Sequence, residues 1–229
     1  MKLEPLGDSA VVATLGSGID PDTLASVLAC SERMAAARGR GILDVVPAYS
    51  TVTVFYDPAQ FAASEGDAYG QVCRFVESCA QRSGGHGLRP TGGLIEIPVC
   101  YGGELGPDLG NVAERSGMGA AEAAALHAGG DYLVYAIGFT PGFPYLGGLP
   151  SALHTPRRAT PRPRVPAGSV GIGGAQTGVY PLESPGGWQI IGRTPLKLFR
   201  PRGNPAALLR PGDRVRFTSI SQAEFDSWK

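Results

Sequence analysis

Lysine is almost missing from this chain: of its 20 basic residues all but Lys2, Lys197 and Lys229 are arginine. One class of chemistry goes with it. The glycine-dense stretch 168–174 (GSVGIGG) is followed by no lysine and does not complete G-x-x-x-x-G-K-[ST]. Nor does it open a helix as a dinucleotide fingerprint must. A Walker-type nucleotide site on this chain alone is therefore not expected, although turn amides around Gly173, Gly174 and Gly178 can still form an anion nest. Cysteine is sparse too. Cys30, Cys73, Cys79 and Cys100 form no C-x-x-C pair, and His86, His127 and His154 are scattered, so no zinc or other metal site is expected. Buried free thiols are the default.

Charge of either sign is low, at 17% of residues, and acids and bases balance at 20 each. Residues 1–90 carry seven basic and ten acidic groups, residues 91–229 thirteen and ten. Neither part has the basic face that nucleic acid requires. No apolar run is long enough to span a bilayer, and Met-Lys-Leu-Glu-Pro opens without an apolar signal core, which points to a cytoplasmic protein without membrane contact. A hydrolase triad is also missing. Ser169 sits in A-G-S-V-G, but Ala167 replaces the first glycine of the nucleophile elbow, and turns flank it instead of strand and helix. A turn hydroxyl bonded to backbone is the simpler role.

Glycine and proline are abundant, at 34 and 20 residues. They concentrate in 138–194, where they make up 21 of 57 positions beside Phe139, Phe143, Tyr145, Tyr180, Trp188, Ile190 and Ile191. Turn formers mixed this closely with aromatics predict short strands joined by tight turns. The same segment holds Arg157, Arg158, Arg162, Arg164 and Arg193, no lysine, and Glu183 as its one acid. Arginine forks suit carboxylate or phosphate, so this is either an anion-binding surface or a set of structural ion pairs. Gln176 and Thr177 stand among small residues where both can face a pocket. Phe143 and Tyr145, with Phe139 and Trp188, can supply an apolar wall or simply pack. His127 ends an alanine-rich stretch, where a charged ring would complement a helix C-terminus; a place near a substrate is the alternative.

Patterning divides the chain. Ser9–Thr14, Ile42–Val46 and Thr51–Tyr56 read as strands. Asp20-Pro21 starts a helix with Leu24, Val27, Leu28 and Met34 on one face, and Tyr69, Val72, Cys73, Val76 and Ala80 mark another. This predicts a small α+β sandwich over 1–88, with both helices on one face of a sheet. Residues 83–93 read as a linker, His86 included. From 93 to 229, brief helices among many short strands predict a mainly β, closed or nearly closed barrel.

Four long strings carry a resemblance: IPVCYGGELGPDL (97–109), YLVYAIGFTPGFPYLGG (132–148), TPRPRVPAGSVGIGGAQTGVYP (160–181) and SPGGWQIIGRTP (184–195). They resemble the bacterial family that holds allophanate hydrolase subunit 1, the 5-oxoprolinase B subunit and the kinase inhibitor KipI, over nearly the whole chain. The resemblance implies a cyclophilin-like barrel and a subunit of an ATP-dependent 5-oxoprolinase, cleaving 5-oxoproline to glutamate with C-type and A-type partner subunits. It implies ATP, with Mg2+, at a site shared with a partner, and no activity alone. It also leaves a KipI-like inhibitor of a histidine kinase, or a urea- or allophanate-type carboxyltransferase-like module, as alternatives. Arg157, Arg162 and Arg193 match positions where relatives carry a basic residue, and His127 matches a family histidine. With Ser169, Gln176, Thr177, Phe143 and Tyr145 they form the expected site for a small carboxylated lactam; Arg158 and Arg164 match no family position.

Overall fold

The computed structural model describes residues 1–62, 64, 66–81 and 92–228. The chain divides into two compact units, Met1–Thr91 and Gly92–Lys229. The expected linker up to Thr91, with His86, lies outside the described residues.

In the first unit, four antiparallel strands form a sheet in the order β1-β2-β4-β3: β1 (Lys2–Pro5), β2 (Ala10–Thr14), β3 (Ile42–Ala48) and β4 (Thr51–Tyr56). Helix α1 (Pro21–Ala36) starts where the sequence predicts. The Asp20 carboxylate accepts the Thr23 N–H at 2.8 Å, and Pro21 fills the first turn, where its missing N–H costs nothing. Alternate strand residues Val11, Ala13, Val52 and Val54 face one side. They pack there with Val27, Cys30 and Met34 of α1 and Val72, Val76 and Cys79 of α2 (Ala68–Gln81), so both helices do cover one face.

The second unit is a closed barrel of seven strands. Around it run β10 (Gln176–Val179), β7 (Pro144–Gly147), β6 (Tyr132–Ile137), β13 (Arg214–Ser219), β5 (Leu94–Tyr101), β12 (Gln189–Arg193) and β9 (Ser169–Gly173), which returns to β10. Val99, Val134, Leu146, Val170, Ile172, Ile191 and Phe217 fill the interior. Helices α3 (Leu109–Arg115) and α4 (Ala120–Ala128) pack with them. Inward Val170 and Ile172 alternate with Ser169, Gly171 and Gly173, which face outward. A two-stranded ribbon of β8 (Arg162–Val165) and β11 (Ser184–Gly186) accompanies this wall. With it goes a second core of Phe143, Val165, Tyr180, Trp188 and Ile190. This aromatic core outside the barrel explains the odd composition of 138–194. A short helix α5 (Gln222–Asp226), closed by a Ser221–Glu224 capping box, adds to the expected elements. Among the described residues, no helix is long and apolar enough to cross a membrane.

Candidate functional site

The nine expected site residues do not form one site. Three of them, Phe143, Tyr145 and Arg157, line a cleft of about 250 Å³ on the outer aromatic core, with Phe139, Tyr180 and Trp188. The rings meet edge to face: Phe143 lies 5.5 Å from Trp188, 5.1 Å from Tyr180 and 5.0 Å from Tyr145. Gly173 makes room for the indole, since a Cβ there would fall 2.6 Å from Trp188 Cε2. Phe139 closes the cleft from a tight turn at a φ of 64°, a left-handed backbone that a bulky residue adopts at a cost. Its ring is 61% exposed.

Arg157 provides the charge. Gln189 Nε2 donates to the Pro156 carbonyl at 2.9 Å and the Arg158 N–H to the Gly187 carbonyl at 2.7 Å, which fixes the loop on either side of it. The guanidinium stands 5.8 Å over the Trp188 ring and forms no ion pair among the described residues. A cation over an aromatic wall, with its N–H fork free, can hold a small planar anion. Gln176 lies on the outward face of β10 opposite Gly173, but it does not line the cleft.

Arg162 is committed elsewhere. Its two terminal nitrogens donate to the Asp108 carboxylate at 2.8 and 2.7 Å, and Arg158 adds a third contact at 3.2 Å. The Ile190 N–H gives Asp108 a fourth, at 2.6 Å. Asp108 is 5% exposed, so two guanidinium groups and an amide replace its water. For these two arginines the structural ion pair is what the structure shows. Asp108, which starts α3 in sequence, makes no side-chain cap there; its carboxylate is turned to the ribbon instead.

His127 is not the charged cap expected at the end of α4. Its ring is fully buried in the barrel unit, against Phe217 at 4.6 Å and Tyr132 at 5.3 Å. Burial pushes its pKa down to about 3, so the ring is neutral. The tautomer follows from the bonds. Thr177 Oγ1 gives its proton to the Gly171 carbonyl at 3.0 Å, so it must accept His127 Nε2–H at 2.9 Å. Nδ1 then accepts the Tyr101 hydroxyl at 2.8 Å. Burial raises the Tyr101 phenol well above its usual range, which keeps that proton in place. Thr177 and His127 thus tie α4 to β10, β9 and β5 inside the barrel, out of reach of a ligand in the cleft.

Ser169 and Arg193 sit opposite each other on β9 and β12. Neither Ser169 Oγ nor Arg193 Nε, both buried, has a hydrogen-bond partner. Ser169 also has no base, so it cannot be an activated nucleophile. Leaving each such group unpaired costs about 1–3 kcal/mol. Arg164 pairs at 3.9 Å with Glu183, both exposed, and the exposed His154 donates from Nε2 to the Leu149 carbonyl at 3.1 Å.

The chain matches the family described as carboxyltransferase domain, subdomain C and D, over residues 1–209. It is 42% identical to the 5-oxoprolinase B subunit of Bacillus subtilis, over all of this chain and 96% of that protein. It is 46% identical to the 5-oxoprolinase B subunit of Escherichia coli O157:H7, over 93% of each. The solved structure of TTHA0988 superposes on 93% of this chain with a TM-score of 0.78 at 39% identity, and the match spans 40% of that longer chain. The barrel, its outer aromatic core and these likenesses agree: the chain belongs to the carboxyltransferase subdomain C and D family, which it shares with the 5-oxoprolinase B subunits.

Proposed function

We propose that the protein is the B subunit of an ATP-dependent 5-oxoprolinase, which opens 5-oxoproline to glutamate together with C-type and A-type partner chains. One observation carries this: two proteins named as 5-oxoprolinase B subunits match it at 42% and 46% identity over at least 93% of their own length. The aromatic cleft suits the substrate. A small lactam ring stacks against Trp188 and Phe143, and its carboxylate meets the Arg157 fork.

Opening an unstrained lactam is uphill, and phosphorylating its amide oxygen would supply a leaving group. This chain's residues do not fit the activating groups by themselves. No Walker lysine is present, and among the described residues no cluster of three or more His, Cys, Asp or Glu side chains could hold a metal ion. We therefore assign ATP and Mg2+ to a site that a partner completes, and to this chain the holding of the substrate carboxylate. A second support is that TTHA0988 joins this module to further sequence within one polypeptide. Reconstitution tests the assignment. The three chains together should release ADP only when 5-oxoproline is added, and this chain alone should release none. A full set without 5-oxoproline-dependent ADP release would remove the assignment, as would turnover by this chain alone.

A further inference from the structure

Four buried side-chain polar atoms lack a hydrogen-bond partner among the described residues: Thr140 Oγ1, Ser169 Oγ, Ser184 Oγ and Arg193 Nε. Two of them belong to residues directly opposite each other on adjacent strands, since Arg193 of β12 faces Ser169 of β9. Directly opposed side chains share a face, about 5 Å apart at Cβ. That face is the outer wall of the barrel, because Val170, the next residue along β9 from Ser169, points into the interior.

Arg193 differs from the other arginines of this wall. Arg158 and Arg162 hold Asp108, and Arg164 pairs with Glu183. Arg193 is half-buried, yet no carboxylate approaches it among the described residues, and burial works against its charge. A guanidinium has donors only, and the Ser169 hydroxyl has a proton to give, so the pair offers donors and lacks an acceptor. The arginine stem is seated: a Cβ at Gly168 would lie 3.3 Å from Arg193 Cγ. Its tip is held by no hydrogen bond among the described residues, so it can turn toward an incoming group at little cost.

We propose that Ser169 and Arg193 form a binding site for a small oxyanion, a carboxylate or a phosphate, on the outer wall of the barrel and separate from the aromatic cleft. Bound there, the ion accepts from the guanidinium fork and from Ser169 Oγ–H, and so satisfies both buried donors and the unbalanced charge. The site goes beyond the functional assignment above and does not depend on it.

The experiment uses the full chain and two probes, acetate and inorganic phosphate, against chloride at matched ionic strength. Thermal melts and titration calorimetry read binding in the wild type and in Ser169→Ala, Arg193→Met and Arg157→Ala. One or both ions should stabilise the wild type and Arg157→Ala alike, and which ion binds decides between carboxylate and phosphate. Ser169→Ala should weaken that binding about tenfold, and Arg193→Met should abolish it. In chloride alone both variants should melt at or above the wild-type temperature, because each removes an unpaired buried group. The proposal is overturned if neither ion stabilises the wild type beyond chloride, or if both variants respond as the wild type does. It is also overturned if Ser169→Ala melts well below the wild type in chloride, which would make the pair a structural contact. Loss of the response in Arg157→Ala alone would place the ion in the aromatic cleft instead.

Discussion

Asp108 should be the most consequential single acid of the barrel unit. Replacing it with alanine removes the acceptor of four hydrogen bonds at once and leaves Arg162, whose side chain is 23% exposed, without a counter-charge. Breaking a buried pair from one side costs about 3–5 kcal/mol, because the remaining charge stays desolvated. The Ile190 N–H, buried in β12, is orphaned as well. For a chain of this size each kcal/mol moves the melting temperature by about 2–4 °C, so Asp108→Ala should melt roughly 6–20 °C lower. Arg162→Ala should cost less, about 2–3 kcal/mol, since Asp108 keeps Arg158 and the amide. Arg158→Ala should cost about 1 kcal/mol, as its side chain is 38% exposed and its contact is longer. The assay is convenient because Trp188 and Trp228, the two tryptophans, both lie in the second unit, so intrinsic fluorescence in a urea titration follows that unit. The order Asp108, Arg162, Arg158 is the expected result. If Arg162→Ala unfolds like the wild type but loses 5-oxoproline-dependent turnover in the reconstituted complex, the clamp is not structural and Arg162 belongs to the substrate site.

Other outcomes follow from the same geometry. Arg157→Ala should keep the wild-type melt within about 0.5 kcal/mol, being exposed, while lowering 5-oxoproline-dependent turnover about 10- to 100-fold; an equal loss of stability would make it a packing residue. The His127 ring should show no titration between pH 7 and 4 by NMR, and a midpoint near 6.5 would mean an open, solvated ring. Its folded pKa of about 3 lies below its ordinary 6.5, so its contribution to stability is complete above pH 6.5 and is lost as pH falls toward 3. One proton taken up only on unfolding makes that loss about 1.4 kcal/mol per pH unit, a slope that His127→Gln should remove.

Local features are more legible in the sequence than long-range ones. Asp20-Pro21 marks the start of α1, and glycine, proline and alternation mark a barrel of short strands, because caps, turns and period-two burial act within a few residues. The partner of Arg162 is hidden because it lies 54 positions away, outside the arginine-rich segment, in which Glu183 is the one acid. Asp108 also looks like an ordinary helix cap, and only the folded chain turns it to the ribbon. His127 is equally opaque. A histidine in an alanine helix reads as a terminal charge until Phe217, some 90 positions later in the chain, is found stacked against it. Pairings of that separation are set by barrel closure, which no window of a dozen residues contains.

The barrel closes on a parallel pair: β13 lies beside β5 in register from Arg214 opposite Leu94 to Ser219 opposite Val99. The first strand of the unit therefore waits for the last. During synthesis the N-terminal unit can finish its own antiparallel sheet early, whereas β5 emerges from the ribosome with no mate on that side until more than a hundred further residues have been added. Such distant pairing is slow to form, and an open edge in the meantime invites association with other chains. The half-made barrel, with its apolar strands Leu94–Tyr101 and Tyr132–Ile137 exposed, is thus where a nascent chain of this kind is most in need of a chaperone.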